Sequence, residues 1–147
     1  MLGVPGQTKE SLKSTLDFCI SSGVPHLSCY ILKIEENTPF FRMRDKLPFP
    51  SDDDTADMYL FMCEYLEEHG IMQYEISNFA VPGFESRHNL KYWHDEEYLG
   101  IGASAHSFLG GKRTYYPHDI EYFISGNERL TEGDGGDEEE FCMLALR

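Results

Sequence analysis

Gly3-Val-Pro-Gly-Gln-Thr8, followed at helical spacing by Leu12, Leu16, Cys19 and Ile20, is the stretch whose reading decides the fold. Pro5 fixes its own φ and Gly6 tolerates a positive one, the pair that a type II turn takes at its two central positions. Thr8 then offers a hydroxyl to the first turn of an amphipathic helix, and Gly23 ends that helix. A strand end, a tight turn and a helix N-terminus with a free Gln7 amide together make a place where a small polar ligand can be held. The alternative is a plain βα connection of an α/β domain.

Outward from this turn the same rhythm continues. His26-Leu-Ser-Cys-Tyr-Ile-Leu32 is a mostly apolar run, as expected of a strand buried on both faces of a parallel sheet. Residues 33–50 form a loop, and Ser51 opens the clearest helix. Asp52, Asp53 and Asp54 crowd its first turn, where the macrodipole favours anions, so they read as caps and not catalysts. Met58, Met62, Tyr65, Leu66 and His69 share one face, and Gly70 stops the helix. Gln73 to Ser77 reads as a short strand, and Asn78 to Ser86 as a long turn bent at Pro82-Gly83. Strand, helix, strand, helix, strand is the pattern of a βα barrel or a doubly wound sheet. Beyond Trp93 it changes: Leu99 to Ala103 is glycine-rich, and Ala105 to Tyr116 reads as a hairpin outside the barrel, turning at Gly110-Gly111. A short helix over Asp119 to Ser125, a flexible acidic connection from Glu132 to Glu140, and a helix from Asp137 onward complete the chain.

Composition removes several function classes. The 26 acidic against 12 basic side chains leave a formal charge of -14, the wrong sign for nucleic acid or an anionic membrane surface. No apolar run reaches the 18 or so residues of a membrane span, and no charged-then-apolar leader precedes the first turn, so neither a span nor a secretion signal is expected. The four cysteines, Cys19, Cys29, Cys63 and Cys142, are scattered singly, which fits small apolar fillers in a reducing cytoplasm.

The densest chemistry lies in Arg87-His-Asn-Leu-Lys-Tyr-Trp93. A guanidinium, an imidazole, an amide and two aromatic faces within seven residues suit a flat, partly anionic ligand, because they supply charge, ligation and stacking together. Structural readings stand beside this one: a hydrogen-bonded His88, an Arg87 paired with Glu85, and Tyr92 and Trp93 as core aromatics of a helix. His94 and His106 follow His88 at gaps of 6 and 12 residues, which do not form a helix-face ligand pair, so a zinc site is rejected.

These residues, with Tyr98-Leu-Gly-Ile-Gly-Ala-Ser-Ala-His-Ser107, resemble the radical S-adenosylmethionine (SAM) proteins related to oxygen-independent coproporphyrinogen III oxidase. His88-Asn-Leu-Lys-Tyr-Trp93 is similar to the H-N-x-x-Y-W signature of the heme-chaperone branch, the HemW type. The resemblance runs in order through Gly3 to Thr8, His26 to Tyr30, Glu35 to Thr38, Tyr74 to Ala80, Pro82-Gly83, Arg87 to Trp93 and Tyr98 to Ser107. It implies an α/β fold that is half of a (βα) partial TIM-type barrel, with a β-hairpin extension and a short helical tail. Residues 1–118 would be the carboxyl-side half of the barrel with the hairpin, and residues 119–147 the start of a truncated C-terminal domain. It implies SAM held by Gln7, Phe79, Ala80, Ile101 and Ala103, and heme held by Arg87, His88, Tyr92 and Trp93, with His88 as axial ligand or propionate contact. Gly100 and Gly102 would serve only to let the backbone come close. For Phe79 the alternative is core packing.

The same family holds a 4Fe-4S cluster through an early C-x-x-x-C-x-x-C loop, which this sequence lacks. The expectation is therefore a truncated product, a mis-assigned start or a gene remnant, inactive alone. Within the complete protein it implies heme or porphyrin, a heme-acceptor protein, and either chaperone function or the oxidative decarboxylation of coproporphyrinogen propionates. A third possibility is an inactive α/β fragment that self-associates as a homodimer through unpaired strand edges.

Overall fold

The computed structural model describes residues 1–136 and 138–146, in two compact units, Met1–Glu85 and Ser86–Arg147. In the first unit the opening turn forms as its residues dictate. Gln7 N–H donates to the Val4 carbonyl at 3.0 Å, closing a turn in which Gly6 sits at φ 72°. Helix α1 (Lys9–Ser21) follows, with a reciprocal cap: Thr8 Oγ1 accepts from Ser11 N–H and Ser11 Oγ accepts from Thr8 N–H. Its buried residues are Leu12 and Leu16, one helical turn apart.

Strand β1 (His26–Ser28) is shorter than the apolar run around it. A brief helix α2 (Pro39–Met43), capped by Thr38, runs into a 3-10 turn over Arg44–Lys46. Helix α3 (Asp52–Glu68) is capped by Ser51, whose Oγ accepts from Asp54 N–H at 3.1 Å while the Asp54 carboxylate takes the Ser51 N–H in return. Of the three first-turn acids Asp54 is thus part of the cap, and Ser51 is the N-cap itself. Met58, Met62 and Leu66, at i, i+4 and i+8, are its buried stripe.

Strands β2 (Met72–Glu75) and β3 (Asn78–Ala80) complete a sheet of order β1-β3-β2. Both pairings are antiparallel, with Leu27 opposite Phe79 on one side of β3 and Gln73 opposite it on the other. This corrects the parallel sheet expected from the apolar run, and the long turn expected from Asn78. Only Ile76 and Ser77 separate β2 from β3, and a two-residue connection permits a hairpin but no crossover. Parallel pairing survives in one bridge, Leu2 to Ile31, where Leu2 N–H donates to Tyr30 O at 2.9 Å and Leu32 N–H to Leu2 O at 2.7 Å. Nor is β1 buried on both faces: Leu27 is half-buried and Ser28 exposed. Leu2, Leu16, Met62, Leu66, Ile71 and Phe79 form the heart of this unit's core. Burying each such side chain contributes roughly 1.5–3 kcal/mol.

The second unit begins with helix α4 (Arg87–Trp93), capped by Ser86. Strands β4 (His106–Leu109) and β5 (Lys112–Tyr115) make the expected hairpin, with Leu109 opposite Lys112 across Gly110-Gly111. Helix α5 (Ile120–Ile124) is capped by Asp119. Leu130–Asp134 then forms β6, antiparallel to β5, giving the order β4-β5-β6. The start of the acidic connection is therefore a sheet strand, with its carboxylate side chains on the exposed positions. Helix α6 (Glu138–Ala145) follows, and Asp137 lies outside the described residues. Arg113 ties this unit together. Its guanidinium reaches Glu140, Asp95 at 3.3 Å and the Tyr98 hydroxyl at 3.0 Å; burial pulls its pKa down, and Glu140, with Tyr98 behind it, outweighs that and holds it up. The chain is thus mixed α/β with two small antiparallel sheets.

Candidate functional site

Gln7 is half-buried at the turn, and its amide is engaged, not free. Oε1 accepts from Gly3 N–H at 2.7 Å and Nε2 donates to the Met1 carbonyl at 3.2 Å, so the side chain braces the turn it belongs to. It borders two hollows. One, of 720 Å³, runs between the turn, Pro48–Pro50 and the Asp54, Phe61 and Glu64 side of α3. The other, of 380 Å³, is more apolar and is walled by Leu2, Leu16, Cys19, Cys29 and Met62. A ligand reaching Gln7 competes with Gly3 N–H for Oε1 or displaces Met1 from Nε2.

Phe79 and Ala80 lie on the central strand and are 0% and 1% exposed. The Phe79 ring is core, so only its backbone is left to contact a ligand. Next to them is a polar relay, running from exposed Ser28 to buried Asn78 and Glu75, that the sequence reading did not single out. Ser28 Oγ donates to Asn78 Oδ1, Asn78 Nδ2 donates to Glu75, and Glu75 also takes Ser77 N–H at 2.7 Å. Glu75 and Asn78 are both buried, and each bond removes an otherwise costly unsatisfied group. The relay locks β1, β2 and β3 in register. Asn78 carries no sequence signal of this kind, because its partner Ser28 is 50 positions away.

The thiols do not assemble a metal site. Burial pushes the Cys29 and Cys63 thiols above their ordinary pKa, which keeps them as thiols, whereas metal binding needs thiolate. Among the described residues no group of three His, Cys, Asp or Glu side chains is placed to hold a metal ion.

In the second unit α4 sorts its residues by helical spacing. His88 and Tyr92 lie one turn apart on one face, Arg87 and Lys91 on the adjoining one, and Arg87, His88 and Lys91 are exposed. The Tyr92 hydroxyl and His88 Nε2 are 3.1 Å apart, with their rings edge to face at 4.9 Å. His88 is thus satisfied by Tyr92, not by Asn89, whose backbone N–H instead goes to the Ser86 cap at 3.3 Å. Tyr92 packs against Tyr98 with ring centroids 4.4 Å apart, and Trp93 is half-buried beside it at 6.5 Å. Burial raises the Tyr98 phenol pKa and the Arg113 cation opposes the rise, so Tyr98 stays a neutral, fixed wall. Lys91 and Tyr98 were missed in the sequence; the i, i+4 spacing of Arg87 and Lys91 was the signal for the first. In the first unit the Glu85 carboxylate is held below its usual pKa by its own backbone N–H and by that of Gly83, which it accepts at 3.0 Å.

The glycine-rich turn divides its expected roles. A Cβ on Gly100 would fall 2.1 Å from the His106 carbonyl oxygen, so close approach does require glycine there. At Gly102 the space is open, and the residue instead meets a φ of 116°. Ile101 is 77% exposed, while Ala103 borders a hollow shared with Ser104 and His118, whose side chains hydrogen-bond at 2.7 Å.

Compared with known proteins, the chain is 45% identical to the heme chaperone HemW of Lactococcus lactis over 98% of its own length, and 42% identical to HemW of Bacillus subtilis over 84%. The chain is similar to one part of HemW. It spans 40% and 33% of the length of these two relatives. The likeness to the Lactococcus HemW takes in both compact units, and with them α4 and the glycine-rich turn. No protein-family model matches. Among solved structures, the radical SAM enzyme coproporphyrinogen III oxidase, HemN, of Escherichia coli superposes on 99% of the chain and 37% of its own, with a TM-score of 0.70 at 19% identity. That likeness is one of fold. Among the described residues no helix is long and apolar enough to cross a membrane.

Proposed function

We propose that this chain is a portion of a radical SAM protein of the HemW type, working in the reducing cytoplasm, that holds heme along α4 for delivery to an acceptor protein. The observation that carries the reading is the 45% identity to a heme chaperone along nearly the whole chain. The chemistry of α4 agrees with it: Arg87 and Lys91 are cations suited to propionates, Tyr92 and Trp93 are flat faces suited to a macrocycle, and the His88–Tyr92 pair is suited to iron. In the complete protein, Gln7 meets the methionyl part of SAM and the Phe79 and Ala80 backbone its adenine. Residues 1–118 belong to a partial TIM-type barrel with its hairpin, and residues 119–147 open the next domain.

A 4Fe-4S cluster does not fit the residues of this chain. Its cysteines stand on separate elements, and burial holds two of them as thiols. No radical step is therefore derived from these side chains. The alternative, an oxygen-independent coproporphyrinogen oxidase, has only the fold likeness to HemN behind it.

Titrating hemin into the 147-residue chain and following the Soret band tests the heme reading. Saturable binding is expected, weakened roughly tenfold or more when Arg87→Ala, His88→Ala and Tyr92→Phe are combined. Titrations that superpose would overturn the placement of heme on α4.

A further inference from the structure

A hollow of 600 Å³ in the second unit is lined by Ala103, Ser104, His118, Asp119, Ile120 and Glu121. We infer that it is a site of acyl transfer, independent of the heme reading, in which Ser104 is the nucleophile, His118 its general base and the substrate an activated ester of a short acyl group. Ser104 Oγ and His118 Nδ1 lie 2.7 Å apart, within the reach that a nucleophile and its base require. Two main-chain bonds hold the pair together. Ser104 N–H donates to Pro117 O at 3.1 Å and Tyr116 N–H to Ala105 O at 3.0 Å, so the backbone under Ser104 is laddered to the backbone that leads into His118. Ser104 also stands at φ 63°, a left-handed conformation that a residue with a Cβ adopts only at a cost. Glycine would meet it without strain; what serine adds is a hydroxyl on the imidazole. Both side chains are exposed, so substrate and water reach them.

A neutral imidazole with its proton on Nε2 accepts at Nδ1 from the serine hydroxyl. As the Ser104 oxygen bonds to the ester carbonyl carbon, its proton passes to His118 Nδ1. The bond from that carbon to the leaving oxygen then breaks, and His118 returns the proton to the departing alcohol or phenol. The product is an O-acyl serine. Water, deprotonated in turn by His118, attacks it, releases the carboxylic acid and restores Ser104, with no net oxidation or reduction. The main chain limits the substrate. Ser104 N–H is taken by Pro117 O and Ala105 N–H by Gly102 O at 3.1 Å, so neither is left for a developing oxyanion, where each such donor contributes roughly 10²–10³ in rate. The ester must therefore bring a good leaving group of its own. Asp119 and Glu121 set carboxylates beside the same hollow, and Ala103 and Ile120 give it apolar walls, which together select a short acyl chain without negative charge.

Labelling of the full chain by a fluorophosphonate, located by peptide mass spectrometry, and acetylation by p-nitrophenyl acetate, followed as nitrophenolate release, test the site. Ser104 is expected to be labelled at least about tenfold faster than any other serine of the chain, and to carry the acetyl group. Ser104→Gly, which suits the positive φ and keeps the turn, is expected to lose both reactions while its unfolding midpoint stays at or above that of the wild type. His118→Gln leaves the hydroxyl an acceptor but no base, and is expected to slow the labelling of Ser104 by roughly 10²-fold or more. A hydrogen bond that serves only to tie the turn together gives a different pattern. No preferential labelling of Ser104 in the wild type, or labelling that His118→Gln leaves unchanged, overturns the proposal.

Discussion

Asn78 is the residue on which the first unit's sheet depends. It is 2% exposed and satisfies groups on two other strands, Ser28 on β1 and Glu75 on β2. Replacing it by Leu keeps the volume but takes one hydrogen bond from a buried carboxylate and leaves it only Ser77 N–H, so Asn78→Leu is expected to cost about 1–3 kcal/mol in urea unfolding. A change within error would mean that water takes over both bonds. A surface counterpart is Asp17, which accepts from the Tyr65 hydroxyl and the Lys13 ammonium, the first being the larger cause of a carboxyl pKa below the usual aspartate value. Because the folded pKa is the lower one, the stabilisation is present above the unfolded aspartate pKa and fades as pH falls through the folded one. Tyr65→Phe is expected to move the Asp17 titration up, seen by NMR of the carboxyl carbon. An unmoved midpoint would remove the phenol as the cause.

At the scale of elements, the caps were legible because they are written within four residues. Thr8 before α1 accepts from a backbone N–H as its type predicts, and Ser51 and Asp119, read in the sequence as the first residues of their helices, prove to be the caps of α3 and α5. Thr8→Ala removes the cap bond from Ser11 N–H to Thr8 Oγ1 while leaving the Ser11 hydroxyl on the Thr8 backbone, and should cost about 1 kcal/mol, measured as a lowered unfolding midpoint. A midpoint shift confined to Thr8→Gly would point to turn strain instead. The hairpin at Gly110-Gly111 was equally plain. By contrast the sequence leaves α4 open between a binding segment and a helix with core aromatics, since two adjacent aromatics after a Pro-Gly bend give little helical pattern. Its periodicity emerges only once His88 and Tyr92 are seen one turn apart. Strand β6 was hidden for a different reason. Glu132-Gly-Asp-Gly is a poor strand sequence, and pairing with β5 stabilises it.

Taken whole, the molecule spreads its apolar burial unevenly. Eight residues of the first unit form the buried cluster, whereas among the described residues the second unit's buried side chains are Ser107 and Phe108. The second unit relies instead on half-buried polar ties such as Arg113 to Asp95 and Glu140. Amides of α3 and β3 are therefore expected to exchange last in hydrogen–deuterium exchange mass spectrometry, and those of β4 to β6 well before them. Equal protection in both units would contradict this division. What this sequence determined by itself was local chemistry: the type II turn, the caps, the hairpin and the ordered motifs that mark it as similar to part of HemW. Strand direction, the burial of Phe79, the engagement of the Gln7 amide and the Tyr92–His88–Tyr98 arrangement were decided only in three dimensions. The reason is range, since a turn or a cap is closed by neighbours a few residues away. Whether a strand pairs antiparallel, or an amide is left free, depends on partners that only the folded chain brings within hydrogen-bonding distance.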